Sequence, residues 1–279
     1  MFKTLNRSIV TTSLLTLSLA FLNTGTCSAR QTEVAATITE SEPALEQLFS
    51  DTGINGTFVL YDVTAKRMVV HDQARASTRF IPASTFKIPN SLIGLSTGAV
   101  SNVDELLPYG GGPQYLKVWE QDMGLRDAIR VSNVPVYQEL ARRIGLEPMQ
   151  EYISKLKYGN GEIGTEVDRF WLSGPLKISA LEQAMFLARL AQGELPLPYE
   201  VQQSVREIVQ IDQGDDWVLY AKTGWTTTPT PDIGWWVGWL VRDHQVFSFA
   251  LNIDMIHKDD AAKRIELGKA SLRALGVLD

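Results

Sequence analysis

A nearly continuous apolar run, Gly234-Trp-Trp-Val-Gly-Trp-Leu-Val241, is followed by the polar stretch Arg242-Asp-His-Gln245 and then by a second apolar run, Val246–Asp254. Both runs are rich in aromatic and β-branched residues, and a short polar turn between two such runs predicts neighbouring antiparallel strands. A further strand is predicted at Trp217–Lys222. The C-terminal part of the chain therefore predicts a β-sheet.

The strand pattern also occurs near the other end of the chain. Gly56–Asp62 and Arg67–His71 flank a short polar turn and predict a β-hairpin, and an apolar-periodic helix, Ala261–Leu275, closes the chain. Since strands lie at both ends with helices between them, the simplest packing is one antiparallel sheet made from both chain ends, flanked by terminal helices, with an all-helical subdomain inserted. We therefore predict an α/β fold of the α+β type.

Helical periodicity dominates the middle of the chain. Two helical pieces are predicted at Leu125–Val131 and Val136–Ile144. Ser179-Ala-Leu-Glu182 is a capping box, which predicts the start of a helix that runs to about Gln192. Before the hairpin, Gln31 to Pro43 are polar without a clear period, and we expect them to form a mobile lead-in.

Residues 1–29 have the composition of an export signal. Two basic residues precede an apolar run from Ile9 to Leu22, and a stretch of small residues ends at Ala29. The run is shorter than the ~20 apolar residues that a spanning helix needs. A lipoprotein signal through Cys27 is the alternative, although no aliphatic residue stands just before it. We expect cleavage after Ala29, a periplasmic location of the Gram-negative type, and one mature domain over residues 30–279.

The net charge narrows the classes of binding partner, and the cysteine content indicates how the mature domain is stabilised. The formal net charge is −6 at pH 7, and removal of the basic signal makes it more negative. This argues against nucleic acid and anionic membrane surfaces as partners. No second long apolar segment follows, so we expect no stable membrane span. Cys27 is the only cysteine, so the mature domain must be stabilised by its core without disulfides. These properties are compatible with a homodimer.

A candidate nucleophile and base lie three residues apart in Ser84-Thr-Phe-Lys87. Positions i and i+3 share one face of a helix, and an unprotonated lysine amine can take the proton of a serine hydroxyl. A free lysine has a pKa near ~10.4, so Lys87 needs an apolar pocket or a modification. Two observations weigh against the motif alone: Ser84 could merely cap a helix, and the spacing recurs at Ser154–Lys157 inside a predicted helix.

Two further short motifs contain residues that can bind a carboxylate or relay protons. Lys222-Thr-Gly224 ends a predicted strand, where the glycine leaves room for a ligand to approach closely. The alternative is an edge-strand lysine before a turn. Ser132-Asn-Val134 lies in a loop between two predicted helices, but the same triplet occurs at Ser101–Val103. The two copies differ only in their positions along the chain, so position decides which of them belongs to a functional motif.

Together the motifs are far more specific than any one of them. The signature of class A β-lactamases and penicillin-binding proteins is S-x-x-K, S-D-N and K-T-G, and here the middle element is Ser-Asn-Val. The chain resembles the class D serine β-lactamases (oxacillinases) over essentially its whole mature length. That family's elements S-T-F-K, S-x-V, Y-G-N, W-x-x-G and K-[ST]-G stand, in order, at Ser84–Lys87, Ser132–Val134, Tyr158–Asn160, Trp171–Gly174 and Lys222–Gly224.

The resemblance implies an enzyme that hydrolyses penicillins and related β-lactam antibiotics and confers resistance to them. Carbon dioxide or bicarbonate would convert Lys87 to N6-carboxylysine, which would be the general base for acylation of Ser84 and for deacylation. Neither a metal nor a bound organic cofactor is implied. The implied catalytic residues are Ser84, Lys87, Ser132, Trp171 and Lys222, and the implied substrate-binding residues are Val134, Leu172, Thr223, Gly224, Trp225 and Arg264.

The family pattern also implies individual roles. The backbone N–H groups of Ser84 and Trp225 would form the oxyanion hole, and Ser132 would pass a proton to the leaving ring nitrogen. Trp171 would donate to the carbamate, and Arg264 would bind the substrate carboxylate. The simpler alternatives are that Trp171 is a core aromatic residue and that Arg264 is a solvated residue of the last helix.

Two rival functions share these motifs. A penicillin-binding DD-peptidase would turn over β-lactams poorly, and a β-lactam sensor would stay acylated.

A separate motif, Gly94-Leu-Ser-Thr-Gly98, matches the nucleophile elbow of α/β-hydrolases. That elbow needs a strand before the serine, and here a helix is predicted. No Cys/His cluster in the sequence suggests zinc.

Overall fold

A computed structural model of the chain describes residues 37–40, 42–257 and 259–278. The predicted export signal, its cleavage site and Cys27 lie outside the described residues. Within the described ranges, no helix is both long and apolar enough to cross a bilayer.

Seven strands form one sheet at the centre of the described structure. They are β1 Thr37–Glu40, β2 Gly56–Asp62, β3 Arg67–His71, β4 Gln210–Gln213, β5 Trp217–Thr226, β6 Asp232–Arg242 and β7 Gln245–Met255. Their order is β1-β3-β2-β7-β6-β5-β4, so the N-terminal hairpin pairs with the C-terminal strand β7. All neighbouring pairs are antiparallel except β1 and β3, which are parallel. The predicted sheet from both chain ends is confirmed.

Helices cover both faces of this sheet. Those in the described ranges are α1 Pro43–Thr52, α2 Gln73–Ser77, α3 Lys87–Thr97, α4 Leu125–Arg130, α5 Val134–Ile144, α6 Leu146–Leu156, α7 Ala180–Gln192, α8 Tyr199–Val209 and α9 Asp260–Ala274. The terminal helices α1 and α9 pack on one face. The helices α3 to α7 form the predicted insertion, and α8 follows them before β4. α7 packs against the other face of the sheet.

This layering explains why the run in β6 is apolar at every position. Trp235, Val237 and Trp239 contribute to the core under the inserted helices. Trp236 and Leu240 contribute to the core under the terminal helices. Successive side chains of a strand point to opposite faces, so a strand between two helical layers needs apolar residues on both faces.

Three parts of the chain differ from the sequence expectations. The expected mobile lead-in contains β1, because the backbone of Thr37–Glu40 pairs in register with β3. β5 does not end at Lys222, because its pairing with β6 continues to Thr226. The elements α1, α2, α8 and β4 were absent from the predicted pattern. α2 and β4 are too short to show a clear period, whereas α8 is as long as α5 and its amphipathic pattern was missed.

Candidate active site

The structure brings the predicted nucleophile and base into contact. Ser84 lies in the 3-10 turn Ala83–Phe86, which continues into α3 at Lys87. The Lys87 Nζ atom donates a hydrogen bond to Ser84 Oγ at 2.9 Å. Ser84 is half-buried, and Lys87 has no exposed surface. A hydroxyl beside a buried amine is the arrangement that nucleophilic catalysis requires.

The competing copies of the motifs lie in ordinary structural settings. The exposed Ser154 donates its hydroxyl hydrogen bond to the Gln150 carbonyl at 2.8 Å, inside its own helix. Lys157 lies just beyond the end of α6 and is also exposed. The Ser101 hydroxyl donates to the Glu105 carboxylate at 2.8 Å in an exposed turn. Position therefore selects the copies at Ser84 and Ser132.

Backbone strain marks both selected serines. Ala83, directly before Ser84, has φ +49°, and Ser132 itself has φ +56°. Left-handed φ values are uncommon outside glycine and cost of order 1–3 kcal/mol, and such residues cluster at active sites. The surrounding packing must hold both backbones in place.

The pocket around Lys87 is apolar and aromatic. Burial, and then repulsion from the nearby Lys222 cation, hold the pKa of the Lys87 ammonium well below its ordinary value. The Nζ atom lies 5.3 Å from the Tyr137 ring centroid. On the Phe86 side, the Phe86 ring stacks on Trp171 with 5.4 Å between ring centroids. These surroundings favour a neutral amine.

Trp171 carries a buried donor with no partner. Its side chain has no exposed surface, and no acceptor lies within hydrogen-bond distance of its indole Nε1. A buried N–H without an acceptor is costly and calls for an explanation. The Trp171 ring stacks on Phe86, the residue before Lys87.

Lys222 lies in the middle of β5, so its predicted position at a strand end is wrong. Its Nζ atom donates to the Thr223 carbonyl at 3.0 Å. Burial, and then repulsion from Arg264, lower the pKa of Lys222 to about 7. It is therefore a buried amine whose charge interacts with both Lys87 and Arg264, and the edge-lysine alternative is excluded.

Arg264, on α9, is buried rather than solvated. Its Nη1 atom donates to the Gly224 carbonyl at 2.5 Å, and its Nε atom donates to the Ala261 carbonyl at 2.9 Å. The guanidinium carbon lies 5.8 Å from the Trp225 ring centroid. Burial lowers the pKa of Arg264 to about 10. The two carbonyls orient this guanidinium beside the K-T-G segment.

Gly224 allows two backbones to approach closely. A Cβ atom there would stand 2.9 Å from the Pro82 carbonyl oxygen and 3.1 Å from the Thr85 side chain. The sequence suggested that this glycine makes room for a ligand. In the structure it makes room for the turn that carries Ser84.

The S-x-V triplet connects α4 to α5. Asn133 caps α5 by accepting from the Val136 N–H at 3.1 Å, and its Nδ2 atom donates to the Trp119 carbonyl at 3.3 Å. Ser132 and Val134, on either side of this buried residue, are half-buried. The cap therefore fixes the loop from which both side chains project.

The remaining motif residues support loops or end helices. Asn160 donates to the Pro175 carbonyl and accepts from the Lys177 N–H, which ties two loops together. Leu172 is half-buried against the core. Gly98 is the left-handed residue that ends α3, so the nucleophile-elbow alternative is excluded. In the described ranges, no group of three or more acidic, histidine or cysteine side chains is placed to hold a metal ion.

Three buried residues near the site escaped the sequence analysis. They are Tyr137, which faces Lys87 from α5; Gln183, which donates to Thr85 Oγ1 at 2.8 Å; and Trp235, which donates to the Ile81 carbonyl at 2.9 Å. Tyr137 lies one helical turn after Val134, a spacing that could have pointed to it. Gln183 and Trp235 gave no local signal, because their partners are distant in the sequence.

Comparisons with known proteins agree on one family. A family model described as the penicillin-binding protein transpeptidase domain matches residues 56–273. Beta-lactamase OXA-10 of Pseudomonas aeruginosa is 38% identical over 250 residues, covering 88% of this chain and 94% of that protein. Beta-lactamase OXA-48 of Klebsiella pneumoniae is 38% identical over 225 residues, covering 81% and 85%.

A solved structure extends this agreement to the fold. The crystal structure of FUS-1 (OXA-85), a class D beta-lactamase from Fusobacterium nucleatum subsp. polymorphum, superposes with a TM-score of 0.83. It is 44% identical in sequence, and the alignment covers 86% of this chain and all of that one. The chain described above, with its serine and buried lysine in contact, belongs to the class D serine β-lactamases.

Proposed function

We propose that this enzyme opens the β-lactam ring of penicillins and related antibiotics through a covalent Ser84 acyl-enzyme, and so confers resistance to them. The observation that carries the proposal is the 2.9 Å contact between Ser84 Oγ and the fully buried Lys87 Nζ. A serine is activated when a neighbouring base removes its proton. Burial disfavours the ammonium form of Lys87, which has no free electron pair with which to accept that proton.

We also propose that Lys87 is carboxylated by carbon dioxide or bicarbonate. The reaction needs a neutral amine, and burial together with Lys222 lowers the pKa of Lys87. The unpartnered Trp171 N–H would then donate to the carbamate, and Val134 and Leu172 would shield it from water. When present, the carbamate supplies a general base for both acylation and deacylation.

The other side chains would bind and orient the substrate. Lys222 and Thr223 on β5 and Arg264 on α9 would supply an amine, a hydroxyl and a guanidinium to bind the substrate carboxylate. The N–H groups of Ser84 and Trp225 would stabilise the tetrahedral oxyanion, and Gly224 lets the turn that carries Ser84 approach β5 closely. Ser132, held at the end of α4, would deliver the proton to the leaving ring nitrogen.

We further propose that residues 1–29 direct export. The enzyme would then act in the periplasm as a mature domain over residues 30–279. The basic and apolar pattern of the N-terminus supports this. Mass measurement of the exported protein should place the new N-terminus after Ala29, and retention of the first 29 residues would contradict it.

Lys87→Ala tests the assignment of the base. We expect hydrolysis of a penicillin to fall by about 10³-fold or more, with no recovery on adding bicarbonate. Lys157→Ala, in the exposed copy of the motif, is the matched control and should hydrolyse like wild type. Wild-type turnover by Lys87→Ala would overturn the assignment. A burst of acylation without turnover in the wild-type protein would favour the sensor function instead.

A further inference from the structure

A buried series of hydrogen bonds ends on the turn that carries Ser84. The Gln183 Nε2 atom, on α7, donates to Thr85 Oγ1 at 2.8 Å, and Thr85 Oγ1 donates to the Pro82 carbonyl at 2.7 Å. Behind them, the Tyr158 hydroxyl donates to Gln183 Oε1 at 3.4 Å. Tyr158, Gln183 and Thr85 are each only 1% exposed. Solvent therefore cannot replace any of these bonds.

Each hydrogen bond of this series is donated toward the Pro82 carbonyl. A threonine hydroxyl carries a single proton. Because the Gln183 amide N–H donates to the Thr85 oxygen, the Thr85 proton is directed to the Pro82 carbonyl. Tyr158, which can donate, meets the carbonyl oxygen of the Gln183 amide and fixes which way that amide points. Gln183, together with Tyr158, which also interacts with the Thr85 hydroxyl, therefore directs that hydroxyl toward the Pro82 carbonyl.

The Pro82 carbonyl links the Thr85 hydroxyl to the backbone that carries Ser84. It also accepts the Thr85 backbone N–H at 3.2 Å, and it lies against Gly224. The next residue, Ala83, has the strained φ of +49°. Rotation of the Pro82–Ala83 peptide would relax that strain and move Ser84 relative to Lys87.

We infer that Gln183 is a positioning residue for Ser84. Through the Thr85 hydroxyl it fixes the Pro82–Ala83 peptide and so holds Ser84 Oγ against Lys87 Nζ. The inference rests on the proposed role of Ser84 as nucleophile. It gives a function to a residue on α7 that belongs to none of the sequence motifs.

Single-turnover acylation by a chromogenic cephalosporin, with enzyme in excess, tests the inference. Gln183→Met and Thr85→Val should each slow acylation about tenfold, since small displacements of a reacting group are costly. The double variant should be no slower than the slower single variant, because both changes break one series of bonds. Substrate dissociation constants and the ¹³C signal of bicarbonate-labelled Lys87 should stay as in wild type.

Matched variants separate positioning from general stability. Thr85→Ser keeps the hydroxyl and should recover most of the rate lost in Thr85→Val. Gln183→Leu also lacks the N–H donor, so it should slow acylation as Gln183→Met does. Gln202 is equally buried but bonds Leu195 and Leu197 beside α8. Gln202→Met should therefore lower Tm without slowing acylation of the folded enzyme.

Three results would overturn the inference: wild-type acylation by Gln183→Met, equal slowing by Gln202→Met, or multiplied effects in the double variant. Mass spectrometry of the wild-type enzyme separates this failure from that of the proposed function. Without an acyl group on Ser84, the nucleophile itself is wrong. With that acyl group present and no effect of Gln183, only the positioning role is wrong.

Discussion

Ser84–Lys87 and Ser154–Lys157 share one spacing but lie in opposite environments. At the first pair, a 3-10 turn runs into α3, the lysine is fully buried, and its Nζ atom lies 2.9 Å from the serine oxygen. At the second pair, the serine bonds its own helix, and the lysine follows the helix end with φ +55°. Both residues of the second pair are exposed.

The comparison shows what spacing can and cannot supply. A separation of three residues places two side chains near each other only while the helix continues. Reactivity also needs removal of water, which disfavours the charged form of Lys87. That condition comes from Phe86, Tyr137 and Trp171 around it.

The largest expected difference is in catalysis. Ser84→Ala should lower kcat/KM for a penicillin by about 10³-fold or more, because it removes the nucleophile. Ser154→Ala should leave kcat/KM unchanged, since its exposed hydroxyl bonds only the carbonyl and the side-chain amide of Gln150. Steady-state hydrolysis of one penicillin by both variants checks this. Equal effects of the two changes would show that the buried pair is not the reactive one.

A smaller effect is expected from the unpartnered donor beside the buried pair. Trp171→Phe keeps the aromatic packing but removes the N–H, and loss of one such donor costs about 10²-fold in rate. The bicarbonate concentration needed for half-maximal activity should rise at the same time. Trp239→Phe is the matched control, because Trp239 is equally buried and its Nε1 atom also lacks a partner. A Trp171→Phe enzyme with wild-type bicarbonate dependence would contradict the proposed contact.

The smallest effect concerns stability and pH. Lys222 has a pKa of about 7 in the folded protein against 10.5 as the ordinary value, and the pKa of Lys87 is also lowered. Between pH 7 and 10 the unfolded chain therefore binds more protons than the folded chain, so stability should rise with pH. Lys222 contributes at most about 1.4 kcal/mol per pH unit. Urea unfolding in CO₂-free buffer at several pH values measures this rise.

Two substitutions sharpen that measurement. Lys222→Met removes one titrating group and should make the rise with pH less steep. Lys157→Met removes a positive charge from the exposed pair and should leave the slope as in wild type. A wild-type slope in the Lys222→Met protein would mean that the buried cation does not titrate in this range.

Local patterns predicted much of the fold. The hairpin strands β2 and β3 have the predicted bounds, and Ser179 and Glu182 form the predicted capping box of α7. These features depend on neighbouring residues, so the sequence contains their whole cause. The pattern failed at Lys222, because the length of β5 is fixed by its pairing with β6 rather than by its own residues.

Some residues of the candidate site were likewise predictable from local sequence, and others were not. The order of the motifs identified the family and pointed to Ser84, Lys87 and Arg264 before any contact was known. The partnership of Gln183 with Thr85 spans 98 positions, and a contact of that range leaves no periodic trace in one sequence.

The sequence by itself determined the hairpin β2–β3, the strands β6 and β7, the start of α7 and the family, because these follow from residue type, periodicity and spacing along the chain. Only the tertiary structure decided which S-x-x-K pair is buried, why Gly224 must be a glycine, and which residues orient the turn before Ser84. The physical reason is that burial and close approach depend on segments far apart in the chain. The low pKa of Lys87 depends on its burial among residues from the 3-10 turn, α5 and the loop at Trp171.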